Sequence, residues 1–425
     1  MPDIHLPPGL RYSCIQCGDC CRTLEVTMTE PEHERLAEHD WAATLADYRH
    51  DRYLRRIRRG RGRQRWRLRP LKTGACRFLT DDNLCRVHAV LGYDAKPFAG
   101  RLFPFTFSVT PAGVFVGCRF NCPAVVRGEG LPLEEQRRDI ERLYREYARV
   151  YEPRREPDRV RFFGRFGLGW RDILRIEDQL RAFLLLHDLP IPLRLLACRA
   201  LVRQFVSGSL STGRDARVGA DPDAILRTLA GSAGSVPAPG PMERVFFRLL
   251  AAAFLGAELP SFREMPFTRR LGVRLGRVLG RFCDALGARK MPLPGTGNAV
   301  PLRDVAKVDT REIDETSTAM LERYFVGKLS SQSFFGLSFF GRSFAEGIEF
   351  LACTHAVLLR VAAAHAVAAG RHAPNADDVE YAIRQIDFGY NYLGTFGGLT
   401  ERLRSIFFWH WETPEKLLAP LLPAD

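Results

Sequence analysis

Cys14-Ile15-Gln16-Cys17-Gly18-Asp19-Cys20-Cys21 packs four thiols into eight residues. A metal ion draws thiolates to one point at about 2.3 Å, and gaps of two residues let a tight turn offer successive sulfurs to it. Gly18 lies inside such a gap, where the backbone must fold closely. Two further groups follow, Cys76-x8-Cys85-x2-His88 and Cys118-x3-Cys122-Pro123. Imidazole ligates zinc or iron, or supports a ligand from behind, so His88 joins the eight cysteines as a candidate metal ligand. Eight thiols suffice for two four-ligand sites, or for an iron–sulfur cluster and a zinc. Adjacent Cys20 and Cys21 point in different directions and can serve different sites. The spacing matches neither the zinc-finger pattern nor the ferredoxin run, so an iron–sulfur cluster and zinc both stay open. Cys198, Cys283 and Cys353 stand in apolar surroundings and read as small buried hydrophobes.

The N-terminus, MPDIHLPPGLRYSC, lacks a basic region followed by an apolar run, so no signal peptide is expected. No stretch reaches the roughly 18 uninterrupted apolar residues of a membrane span. Leu351 to Ala369 comes nearest and is broken by Thr354, His355, Arg360 and His365. The expected location is cytoplasmic. In a reducing compartment dense cysteine points to metal rather than to a disulfide framework.

The same residues carry a resemblance. The cysteine run 14–21, then Cys76-Arg77-Phe78-Leu79, Cys85-Arg86-Val87-His88, Lys96-Pro97, Arg101-Leu102-Phe103-Pro104-Phe105, Cys118 and Cys122 resemble the YkgJ-type cysteine-cluster family. The likeness covers roughly residues 11–125. It implies a zinc- or iron-chelating domain, and the family includes the flagellin lysine-N-methylase FliB. Members usually have a cysteine before the Arg-x-Phe-Pro segment, and this chain has Gly100 there. His88 could compensate for that lost ligand, or one site could be labile. The stretch Leu321-Glu322-Arg323-Tyr324-Phe325-Val326-Gly327-Lys328-Leu329 is similar to a segment of the methylase branch. That branch implies a protein-lysine N-methylase that uses S-adenosylmethionine on a protein substrate such as flagellin. The alternative is a non-catalytic or redox cysteine-cluster protein with a structural metal site. No Gly-rich strand-to-helix fingerprint, P-loop, His-Glu-x-x-His or Gly-x-Ser-x-Gly motif appears, so catalytic and donor-binding residues stay unassigned.

At 425 residues the chain has room for two or three domains. Its formal charge of +13 is local, because Arg49 to Lys72 alone carries +11. With only Tyr53 and Trp66 interleaved through Arg49–Arg69, base stacking is poorly supported and no specific nucleic acid is expected. An acidic protein or an anionic surface fits the strip better, beside the plain reading of a solvated face.

The expected fold is mostly α: a small irregular α+β metal-binding N-terminal unit (1–125) and a long helical C-terminal region (126–425), divided near 208–240. Thr29 and Glu32 predict a capping box opening a helix toward His39. Trp41 to Arg59 reads as a second, very basic helix, and Arg63 to Arg69 as an exposed strand. Phe103 to Val109 and Gly113 to Gly117 predict a hairpin. Ile140, Leu143, Tyr144, Tyr147, Val150 and Tyr151 recur at helical spacing. Ile173–His187, Leu193–Val206, Arg244–Leu255, Arg269–Ala288, Thr316–Lys328, Phe334–Ala368 and Ala376–Phe408 also read as helices. The densest aromatic stretch, Phe334 to Phe344 with Glu346, reads as core packing, the other reading being a pocket for a substrate amine.

Overall fold

The computed structural model describes residues 2–45, 48–49, 53–57, 62–212, 222–232, 239–255, 290–311, 313–390, 413–418 and 421. The first part of the chain is built of short pieces: β1 (Ile4–His5), β2 (Arg11–Tyr12), α1 (Asp19–Thr23), β3 (Thr27–Met28), α2 (Glu30–Glu38), β4 (Leu54–Arg56), β5 (Trp66–Leu68), α3 (Arg86–Leu91) and α4 (Phe98–Leu102). The hairpin β6 (Phe105–Thr110) and β7 (Gly113–Cys118) follows, then α5 (Pro123–Arg127) and β8 (Leu131–Pro132). Helices then dominate: α6 (Arg137–Tyr151), the hairpin β9 (Arg159–Phe163) and β10 (Phe166–Gly169), α7 (Trp170–Leu184), α8 (Ile191–Thr212), α9 (Pro222–Ser232) and α10 (Pro241–Leu255). Last come the hairpin β11 (Lys290–Leu293) and β12 (Asn298–Pro301), α11 (Leu302–Val305), α12 (Glu315–Ser330), α13 (Phe344–Ala368), α14 (Ala376–Tyr390) and α15 (Thr413–Leu418).

Thr29 and Glu32 form the expected capping box, the Thr29 N–H donating to Glu32 at 2.7 Å. The other oxygen of that carboxylate accepts from the Phe98 N–H at 2.5 Å, so one buried acid starts α2 and anchors α4. The basic helix expected over Trp41–Arg59 does not form among the described residues. Trp41–Ala43 is a single 3-10 turn and Leu54–Arg56 is a strand paired with β5. A run of arginines on one helix repels itself, whereas edge strand β4 and central strand β5 spread them across the three-stranded sheet β3-β5-β4. Arg52, Arg58, Arg59 and Arg61 lie outside the described residues. So do Cys283, the helix expected over Arg269–Ala288, most of the loops near 208–240, and the end of the helix expected to run to Phe408.

The apolar residues gather into two clusters. The small one joins Met28, Leu36, Trp41, Tyr53, Phe78 and Val87, with Cys76 and Cys85 against its edge. The large one is built on α7, α8, α12, α13 and α14, and the hairpin β6–β7 inserts into it. β1 adds in parallel to β7, pairing Ile4 with Val114. Cys118 and Cys122 belong to this large core. Phe334, Phe335, Phe339 and Phe344 are buried there, and Glu346 closes the capping box of α13 with Ser343, so the aromatic stretch is core except for Phe340, which is half exposed. α13 is long and apolar enough to cross a membrane, and 83% of its most apolar window is buried inside the protein.

Candidate metal centre and its cavity

α1 carries Cys20 and Cys21 on successive positions of a helix, so their side chains diverge by about 100°. The turn before it depends on Gly18, at φ 73°. A Cβ there would lie 2.6 Å from the Arg22 guanidinium and 2.7 Å from the Asn83 side-chain oxygen. Those two groups bond each other at 2.5 Å and tie the first cysteine loop to the loop between Cys76 and Cys85. The Cys76 N–H also donates to the Cys21 carbonyl at 2.7 Å.

The thiols sort into two neighbourhoods. Cys122 is raised to about 11 by burial, with Cys17 and Cys14 adding to the rise and the N–H groups of Val125 and Ala124 opposing it by donating to the sulfur. Burial likewise lifts Cys118 far above the ordinary thiol range, with Cys122 and Asp387 contributing. Cys17 is raised by burial and receives the Asp19 N–H. The Tyr12 phenol stands among them, raised by burial and by Cys14, Cys122, Cys20 and Cys118. The second neighbourhood is Cys21, Cys76 and Cys85. Burial pushes Cys76 up to about 12, Cys21 and Cys85 add to the rise, and the N–H groups of Phe78 and Leu79 oppose it. The two meet at the Cys20–Cys21 contact, Sγ to Sγ 3.9 Å. That hydrogen bond holds Cys21 down to about 7, with help from Lys96 and Arg22, and together with burial it raises Cys20.

His88 is exposed on α3 with its ring edge-on to Tyr93, and no described interaction joins it to a thiol. Among the described residues no three Cys, His, Asp or Glu side chains close to ligand spacing, and none of the described cysteines is in a disulfide. Groups that must all become anionic converge only on a cation, so metal binding and closure go together. The donor set fits the group: soft sulfur ligands, several receiving backbone N–H bonds, suit zinc or iron–sulfur. Cys198 and Cys353 lie buried in the helical core, as expected of small hydrophobes.

The first neighbourhood opens on a cavity of about 840 Å³. Cys14, Cys17, Cys20 and Cys122 form one wall. α6 forms the opposite wall, with Arg142, Arg145, Glu146 and Arg149 along it. Tyr12, Ile15, Phe103 and Phe105 supply apolar surface. Gly100 is on the lining too, and a Cβ there would meet nothing nearer than the Lys96 side chain at 3.9 Å.

Residues far along the chain hold these loops, and sequence reasoning missed them. Arg384 on α14 pairs with Asp19 and donates to the Asn121 carbonyl at 3.4 Å. Asp387, one turn on, accepts from the Asn121 N–H at 3.1 Å and pairs with buried Lys328 of α12 at 2.5 Å. One helix thus grips both the 17–21 loop and the 118–122 loop. α12 packs on the second loop through Gly327, where a Cβ would come within 2.8 Å of Phe120. Arg323 donates to the Val126 carbonyl at 2.5 Å. The usable signal was a lysine and an aspartate inside otherwise apolar helical faces.

Residues 13–122 match the CxxCxxCC family model. Its description is “Putative zinc- or iron-chelating domain”. The match takes in all eight clustered cysteines and supports a metal cofactor of zinc or iron. MJ0939, an uncharacterised protein of Methanocaldococcus jannaschii, is 24% identical over 124 residues, which are 28% of this chain and 39% of that protein. The chain therefore spans about two fifths of the length of this curated relative. No solved structure matches the chain.

Proposed function

We propose that this chain is a metal–thiolate protein whose centre faces a small-molecule site. The observation that carries this reading is that Cys14, Cys17, Cys20 and Cys122 all line one open cavity. Structural metal sites are closed, whereas working ones keep a position open. Cys14, Cys17, Cys20, Cys118 and Cys122 would hold one centre, and Cys21, Cys76 and Cys85, with His88 as a further donor, the other. Eight thiols exceed what one zinc needs, which favours an iron–sulfur cluster for the cavity-facing group, with zinc as the alternative. Such a centre supplies an electron or a Lewis acid when bound.

The finer reading is a protein-lysine N-methylase that takes S-adenosylmethionine as donor and a filament protein such as flagellin as substrate. It is supported by the resemblance of residues 11–125 and 321–329, and by the packing of Arg323 and Gly327 against the Cys118–Val126 segment. For the exposed Arg55, Arg56, Arg63 and Arg65 we propose an acidic protein or anionic surface as partner. Trp66 is already stacked on His33 at 3.6 Å, which weakens any case for nucleic-acid bases.

Anaerobic purification followed by iron, sulfide and zinc analysis tests the metal reading, with near-stoichiometric metal expected. Metal-free folded protein would sink it. Incubation of the loaded protein with labelled S-adenosylmethionine and host lysate, read by mass spectrometry, tests the finer one. Methylated lysine that disappears in Cys17→Ser is the expected result. A metal-loaded protein that binds no donor by calorimetry leaves the redox or structural reading.

A further inference from the structure

We propose that the cavity beside the thiols takes an organic anion, with a carboxylate or phosphate end held by Arg145 and Arg149 and an apolar or aromatic body lying along Tyr12, Phe103 and Phe105. This deepens the reading of a small-molecule site. It rests on that reading only for the place of the site, not for the metal.

The argument starts from the charges on the lining. Arg101 and Glu146 form a two-pronged pair at 2.8 and 2.6 Å, half-buried on the α6 side, and neutralise each other. Arg142 leans on Asp139 at 3.3 Å. Arg145 and Arg149 have no carboxylate partner among the described residues, and Arg145 bonds only the Glu141 carbonyl, at 3.4 Å. Lys96 likewise has none. Its ammonium lies over the Tyr93 ring at 5.6 Å, and its charge reaches Cys21. Asp94 also lines the cavity, two residues from Lys96, so the positive charge left unmatched on the lining is that of Arg145 and Arg149.

Arg145 and Arg149 stand four residues apart on one face of α6, so both guanidinium forks can reach one planar or tetrahedral anion. The space is far larger than a metal centre requires. At about 840 Å³ it lies within the roughly 300–1,000 Å³ typical of sites for small organic ligands. The lining also carries aromatic rings, with Tyr12 set edge-on to Phe105 at 5.5 Å. An anion with a flat or aliphatic body satisfies both parts of this lining, which a bare inorganic anion does not.

Three probes that share one body isolate the charged end: adenosine, adenosine monophosphate and adenosine-5′-carboxylic acid. Calorimetry on the full chain, with iron and zinc measured in the same samples, reads their affinities. At least one of the two anion-bearing probes should bind about ten- to a hundredfold more tightly than adenosine. Whichever it is tells phosphate from carboxylate. Arg145→Ala with Arg149→Ala should remove that advantage and leave adenosine unchanged. Arg145→Lys with Arg149→Lys should keep part of it, and added salt should erode it. Folded, metal-loaded protein that binds no anionic probe better than adenosine overturns the proposal while leaving the metal reading standing. So does an anion preference that survives the double alanine variant. Anion binding by protein that takes up no metal upholds the cavity and removes the metal reading instead.

Discussion

The two thiol neighbourhoods rest on different foundations. Cys118 and Cys122 are part of the large core, between the hairpin β6–β7 and the helices α12 and α14. Cys76 and Cys85 sit at the edge of the small cluster around Trp41 and Phe78. The first group is set in the packing of that core, and the second has a much smaller cluster to stand on. Small cores are marginal, and nature commonly staples them with metal or disulfides. On the reading proposed above, the contrast would give chemically similar side chains different duties: the group at the thin cluster would hold structure together, and the group on the thick core would keep an open face.

The largest expected effect tests that contrast directly. Cys76→Ser, or chelation, should leave the segment around the small cluster open to protease while the helical core resists. Structural zinc is worth on the order of 10 kcal/mol to small domains, so the loss should be obvious on a gel. Cys353→Ser, deep in the helical core, should instead lower global stability by about 1–3 kcal/mol and leave the metal content unchanged. If Cys76→Ser and the parent are equally resistant, the thin cluster stands on its own packing.

The next effect concerns the grip of α14. Asp387→Leu strands the Lys328 ammonium in the core and frees the Asn121 N–H. Breaking a buried pair in this way costs about 3–5 kcal/mol, measurable by urea unfolding. Metal affinity should fall with it, because the Cys118–Cys122 loop loses its anchor. A change below about 1 kcal/mol would show that the pair is not buried in solution.

The smallest effect is a pH dependence that belongs to the helical core alone. Burial among apolar side chains lowers His355 to about 3. The unfolded chain takes up that proton near pH 6.5 and the folded chain does not, so stability is full above about 6.5 and falls with pH below it. Glu177, raised to about 7 by burial, titrates in the same window with the opposite sign, so the effect is read against His355→Leu. Between about pH 7.5 and 5 the parent should lose about 2 kcal/mol relative to that variant. Parallel parent and variant curves would put His355 in contact with water.

Local chemistry was legible in the sequence. Thr29 and Glu32, three residues apart, announced their cap, and alternation and turn residues announced β6 and β7. The adjacency of Cys20 and Cys21 announced that their side chains diverge. What stayed hidden depends on partners distant in sequence. Nothing near Glu32 reveals that it also anchors Phe98. Nothing near Asn121 reveals Asp387, far along the chain on α14. The basic stretch 41–59 misled because helix propensity outweighed the pairing of Leu54–Arg56 with β5, which exists only in the folded chain.

Because Cys20 and Cys21 are consecutive on α1, a single peptide unit stands between the two neighbourhoods. The eight residues between Cys76 and Cys85 form a loop, where helix geometry does not fix the direction of every later side chain. At this junction no insertion or deletion is tolerable. One added residue would swing every later position of the helix by about 100° and aim a thiol at the wrong neighbours. The pair is thus a point where the spacing along the chain sets directly which neighbourhood each thiol joins.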